Sequence, residues 1–211
     1  MFKKLLIICF LFISSSAQAV TVTAKIVADD FFSVFVGDST ATSLSLVGGS
    51  NGSLWYAQDS FTFDLAADQY IYVAAWDSSY YGPPHMWIGE FVIGGTTLLS
   101  NTTDWVSKYS ADIKDPNVAQ VQALVQSSQS WITPGASMPN GSWPYGSLIE
   151  GSAASMIWYD QFSNGVTQNG YALFTNAPVT APVPEPETYA LLGFGLGLMG
   201  WIGRRRKLKA S

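Results

Sequence analysis

Between Val20 and Thr175 the chain breaks into short runs that alternate apolar and polar residues, separated by Gly, Asp, Asn and Ser clusters about every 8–12 positions. Successive side chains of a strand point to opposite faces, so a half-buried strand has to alternate in this way. Ser60 to Leu65 is the cleanest case, with Phe61, Phe63 and Leu65 on one side and Thr62 and Asp64 on the other. Val20 to Val27, Phe31 to Val36, Tyr70 to Trp76, Met86 to Ile93 and Thr96 to Leu99 read as strands too. So do Thr40 to Val47, with Leu44 and Leu46 expected on one face, Thr103 to Tyr109, Ser155 to Tyr159 and Tyr171 to Thr175. The fold class expected is mainly β, a single antiparallel β-sandwich or jelly roll over residues 20–177. One short helix accompanies it: Asp115 suits the cap, Pro116 the first helical position, and Val118, Val121 and Val125 fall three and four apart. Trp131 to Gly151, rich in Gly, Pro, Ser and Asn, reads as a long ordered loop, and no internal repeat is visible.

Composition narrows the partners. Aromatic residues make up 14% of the 211 and charged residues 12%, which excludes a disordered chain and a coiled coil. From Val20 to Pro182 there are 3 Lys and no Arg against 11 Asp and 2 Glu, a net charge of −10. Such a surface repels phosphate backbones, so nucleic acid is not an expected partner. The lone cysteine, Cys9, permits no internal disulfide.

The two ends read as addresses rather than fold. Lys3 and Lys4, the apolar run Leu5 to Ile13, then Ala17-Gln18-Ala19 form a secretory signal peptide over residues 1–19, with Ala17 and Ala19 at the cleavage positions. The Sec machinery and a signal peptidase are its expected partners. Near the other end, residues 178–188 are a proline-rich spacer. Residues 189–203 are uncharged, mostly apolar and hold five glycines, and are expected to form a single transmembrane helix. As a helix they reach only about 23 Å, short of a hydrocarbon core of about 30 Å. Arg204, Arg205, Arg206 and Lys207, in the basic tail 204–211, stop transfer and stay cytoplasmic. Gly195-x-Gly197-x-x-Gly200 matches a dinucleotide fingerprint in spacing but lacks the preceding strand and following helix, and is rejected. Gly193 and Gly197, four apart, allow close helix approach but mark no dimer by themselves.

Val183-Pro184-Glu185-Pro186-Glu187-Thr188, the Gly-rich apolar span and the basic cluster, in this order, resemble the PEP-CTERM sorting signal of Gram-negative bacteria. The resemblance covers about 25 residues. It implies export, transient retention in the inner membrane, and processing near Pro-Glu-Pro by exosortase, a membrane-embedded cysteine transpeptidase-like enzyme. The family is associated with exopolysaccharide and biofilm production.

A second resemblance concerns the body of the chain. Ala28 to Val36, Ala74-Ala75-Trp76-Asp77, Ile88-Gly89-Glu90-Phe91, Thr103 to Ser107 and Met156 to Tyr159 are similar to paired strands of galactose-binding-like jelly rolls. Gly37-Asp38 stands where an Asn-Gly hairpin is common. The resemblance implies a β-sandwich of the carbohydrate-binding type, without implying that a sugar binds.

Catalytic material is sparse. His85 is the only histidine, so a Ser-His-Asp arrangement or a zinc site has little to draw on, and no P-loop occurs. A glycoside hydrolase would have to use Glu90 or Glu150, the only glutamates of the domain. Clustered carboxylates suit calcium: Asp29, Asp30 and Asp38 form one candidate set, Asp112 and Asp115 another, while Asp77-x-Ser79-x-Tyr81-Gly82 lacks the ligands of an EF-hand loop. No other cofactor is expected. Aromatic faces stack on sugars while carboxylates bond their hydroxyls. On that ground the loop of residues 76–87 is a candidate glycan site through Trp76, Asp77, Tyr80, Tyr81 and Trp87, although Trp76 and Trp87, at strand ends, also suit a core. The expected function is that of an exported, exosortase-processed envelope or matrix protein, structural or adhesive in exopolysaccharide or biofilm, and not an enzyme. A carbohydrate-binding module and a secreted glycan-active hydrolase are the alternatives.

Overall fold

The alternating runs pair into two antiparallel sheets. The computed structural model describes residues 19–50, 56–78, 84–111, 113–142, 146–162 and 169–176, and Gly195 alone beyond them. The strands are β1 (Val20–Asp29), β2 (Phe31–Gly37), β3 (Ser45–Gly49), β4 (Asp59–Leu65), β5 (Tyr70–Trp76) and β6 (Met86–Ile93). After them come β7 (Thr96–Leu99), β8 (Trp105–Ser110), helix α1 (Val118–Gln126), β9 (Ala136–Pro139), β10 (Ser155–Trp158) and β11 (Tyr171–Asn176). One sheet runs β4-β1-β6-β10-β9, with β7 hairpinned onto β6, and the other runs β3-β2-β5-β11-β8. The β6–β7 turn is Gly94-Gly95 with φ of 54° and 88°, the paired positive dihedrals that a two-residue hairpin of this twist requires. The described residues from Ala19 to Asn176 belong to one compact unit.

The main core lies between the sheets. Val22, Ala24, Ile26, Trp87, Phe91 and Ile93 of one sheet meet Phe32, Val34, Val73, Trp105 and Phe174 of the other. Its centre is aromatic: Trp87 stands edge-on to Trp105 at 4.9 Å between ring centroids and lies 5.4 Å from Phe174, geometry that the ring quadrupole favours. A second cluster covers the outer face of the β3-β2-β5-β11-β8 sheet, where Val121, Leu124 and Val125 of α1 pack on Phe35, Tyr72, Trp76, Tyr171 and Leu173. A third cluster lies over Val27, Met86 and Ile88, covered by Leu148, Ile149 and Met156. Because α1 covers their far face, β5 and β11 are buried on both sides.

Several details differ from the sequence expectation. The helix is capped by Asn117, not Asp115: Asn117 Oδ1 accepts from Gln120 N at 3.0 Å, and Gln120 Oε1 accepts from Asn117 N at 2.9 Å. This reciprocal box satisfies two orphan donors, which Asp115 two residues earlier could not. Val118, expected on the apolar stripe, is exposed. The helix C-terminus is satisfied by Lys108, whose Nζ donates to the carbonyls of Leu124, Val125 and Ser127 at 3.1, 2.9 and 3.2 Å. The same ammonium lies 4.9 Å from the centre of the Trp131 ring. The third strand starts at Ser45, not Thr40, and Leu44 and Leu46 do not share a face: Leu44 is buried while Leu46 is 58% exposed. Thr103 and Asp104 belong to a turn held by Asn101 Oδ1, so β8 begins at Trp105. The stretch expected as one long loop contains the edge strand β9, paired with β10.

Among the described residues no helix is long and apolar enough to cross a membrane. The expected span over residues 189–203 lies outside them except for Gly195, and so do residues 1–18 of the expected signal peptide, Ala17 included; Ala19 is exposed.

Candidate functional site

Two chain crossings lie side by side at one end of the sandwich. Asp29 ends β1 in one sheet and Asp30 precedes β2 in the other; Asp77 follows β5 and His85 precedes β6, in the reverse direction. The pairings force this adjacency, since Asp29 faces Met86 across β1–β6 and Phe31 faces Trp76 across β2–β5. The Asp29–Asp30 peptide is cis. Asp30 fastens the crossings together: its N–H donates to Trp76 O at 3.2 Å, and its Oδ2 accepts from Ser78 N at 2.9 Å.

Three carboxyl groups converge here. One oxygen from each of Asp29, Asp30 and Asp77 lies within 4.8 Å of the other two. Asp29 and Asp77 are only 6% and 5% exposed. Burial, the hydrogen bond to Asp30 and the charges of Asp30 and Asp77 push the Asp29 carboxyl up to about 9. Burial opposes the charge on Asp30, but hydrogen bonds from Ser78 and Asp29 outweigh it and hold that carboxyl below the usual range. Asp77 is shifted upward by burial, partly offset by contact with His85. His85 is 1% exposed, its ring stacked 5.8 Å from Trp158. Its Nδ1 lies 3.1 Å from Asp77 Oδ2. Neither ring nitrogen of His85, nor Asp77 Oδ1, has a hydrogen-bond partner.

The structure regroups the residues singled out from sequence. Asp29 and Asp30 belong together, but their third member is Asp77, not Asp38. Asp38 serves its own loop, its carboxylate accepting from Thr40 N at 2.8 Å, Thr42 N at 3.2 Å and Ser43 N at 2.9 Å. Trp76, Asp77 and Trp87, expected as glycan contacts, are buried, Trp87 completely. The Trp87 ring is taken up between the sheets by Trp105 and Phe174, and Trp76 packs in the cluster beneath α1. Tyr80 and Tyr81 lie outside the described residues, as does Asp112. Glu90 pairs with Lys25 at 3.2 Å across β1–β6, and Glu150 is an exposed turn residue. Sequence reasoning missed the joining of Asp77 to Asp29 and Asp30; its one available signal was a carboxylate placed directly at the end of the Tyr70–Trp76 run.

Hydrogen bonds from Thr40 and Ser43 hold the Asp38 carboxyl well below its ordinary value. A carboxyl lowered by folding contributes stability above its unfolded value of about 4, and that contribution is lost as pH falls toward the folded value. We therefore expect Asp38→Ala to lower the melting temperature at neutral pH, with the gap to wild type closing as pH drops below about 4. Circular-dichroism melts across that range test it; a gap independent of pH contradicts this role.

The comparisons bear on the other end of the chain. The PEP-CTERM protein-sorting motif family matches residues 182–207. Residues 182–207 are a PEP-CTERM protein-sorting motif. The PEP-CTERM match includes all six residues from Val183 to Thr188 and the cluster Arg204 to Lys207, and these residues lie outside the described ones. No curated protein and no solved structure matches the chain, so the galactose-binding-like resemblance gains no relative from them.

Proposed function

We propose that this chain is an exported, exosortase-processed protein of the envelope or extracellular matrix of a Gram-negative bacterium. In this reading it passes through the inner membrane and has a structural or adhesive role in exopolysaccharide or biofilm, not an enzymatic one. The observation that carries the reading is the PEP-CTERM motif at residues 182–207. Its order of Pro-Glu-Pro, short apolar span and basic cluster suits a handle that holds the chain until it is cut. The body of the chain is consistent with such cargo. It is a sandwich whose large aromatics mostly build its own core, carrying a net charge of −10 between Val20 and Pro182.

Fractionation of a host that has exosortase tests the proposal. The wild-type protein is expected in the envelope or matrix, and deleting its gene is expected to weaken matrix retention. Protein confined to the cytoplasm would overturn the export reading, and an unchanged matrix would overturn the structural role. Glycan binding remains the second reading, favoured by a groove of about 600 Å³ whose lining includes Tyr70, Trp131, Asp104 and Asn176. Its size suits a small ligand, and it joins aromatic faces to polar groups. Saturable binding of exopolysaccharide by the purified protein would distinguish this reading from a purely structural role.

A further inference from the structure

We propose that Asp29, Asp30 and Asp77 form a binding site for a hard divalent cation, calcium, at the end of the sandwich where β1 passes to β2 and β5 to β6. The first observation is geometric. Three carboxylate oxygens from two separate chain crossings lie within 4.8 Å of one another, a span that Ca–O bonds of about 2.3–2.6 Å can bridge. The second is independent of the cluster's acidity. His85, 1% exposed, brings Nδ1 to 3.1 Å from Asp77 Oδ2, yet neither of its ring nitrogens, nor Asp77 Oδ1, has a hydrogen-bond partner. Buried polar atoms are normally satisfied, and leaving them unpaired is costly, so this set is incomplete as it stands. A cation held by the carboxylates would give the free Asp77 oxygen its partner, with His85 standing behind the bound carboxylate.

The donor set decides the class of ion. Three carboxylate oxygens suit a hard cation better than a transition metal, which would draw His85 in as a direct ligand. A divalent cation would supply the neutralising charge and join the two crossings across the sheets. The inference does not depend on the export reading, because a chain that is never exported should still bind calcium in solution.

Calorimetric titration of the full chain in detergent with calcium chloride, paired with thermal melts, provides the test. The expected result is one ion per chain with a dissociation constant of about 10⁻⁴–10⁻³ M, in the range of extracellular modules. Near 10 mM calcium the melting temperature should rise by about 5 °C. Asp30→Asn keeps a side-chain oxygen for Ser78 N and should weaken binding at least about 10-fold, as should Asp77→Asn. Absence of saturable binding by wild type would overturn the proposal without recourse to any variant. Wild-type affinity in Asp30→Asn would place the ion elsewhere and overturn it as well. Magnesium binding as tight as calcium, or zinc binding that is tighter and lost in His85→Gln, would overturn the assignment to calcium.

Discussion

Replacing Pro184, Glu185 and Pro186 together with alanine is expected to leave the chain intact through Ser211 and to trap it in the inner membrane. In a host with exosortase, the mature wild-type protein should lack residues 189–211. The physical argument is one of length and charge. Fifteen residues, glycine-rich and uncharged, span about 23 Å as a helix, so they make a poor permanent anchor. Arg204 to Lys207 resist translocation, which would present Pro184-Glu185-Pro186 just outside the membrane, within reach of a membrane-embedded peptidase. The effect is all-or-none, and intact-mass measurement of the fractionated protein reads it directly. Wild-type protein in the envelope or medium that still ends at Ser211 would refute the processing reading and make the segment an ordinary anchor.

The second large effect belongs to the core. Trp87→Ala is expected to lower stability by about 3–5 kcal/mol, because truncating a fully buried tryptophan leaves a cavity that its neighbours only partly fill. Trp105 and Phe174 would lose their central partner. Against a total of about 5–15 kcal/mol for a domain, that loss leaves a marginal fold. Trp87→Phe should cost much less: it keeps a ring in place and removes an Nε1 that has no hydrogen-bond partner. Urea unfolding of wild type and both variants measures the difference. Were Trp87 a surface contact for a ligand, alanine would change stability by no more than about 0.5 kcal/mol, and that outcome would contradict its placement in the core.

The sequence made most of the strands legible, for a physical reason. Tyr70–Trp76, Met86–Ile93 and Thr96–Leu99 begin and end where apolar patterning meets turn residues, and the structure places them at those bounds. What stayed hidden depends on contacts distant in sequence or on local competition. β9 is four residues long, ends in a proline and lies at a sheet edge, so nothing in Ala136–Pro139 distinguishes it from the loop around it. The helix start was misplaced because an Asp-Pro pair suggests an N-terminus, whereas Asn117 with Gln120 three residues later makes the reciprocal cap. The acidic site was half legible. Asp29 and Asp30 are adjacent in sequence, but Asp77 joins them only because β5 pairs with β2 while β6 pairs with β1. Burial of the aromatics could have been suspected from Ile71 to Trp76, which hardly alternates, as befits a strand covered on both faces.

β11 runs between β5 and β8, and its final residues are fastened twice more: Asn176 Oδ1 accepts from Ile71 N and Thr175 Oγ1 donates to Ile71 O, both at 3.0 Å. The polypeptide that leads to the sorting motif leaves from this strand. Force directed along β11 would load the domain in shear, across ladders whose hydrogen bonds lie perpendicular to the strand. Those bonds resist together instead of opening one at a time. Loaded along that direction, the sandwich would hold to a higher force than one whose last strand could be peeled from an edge.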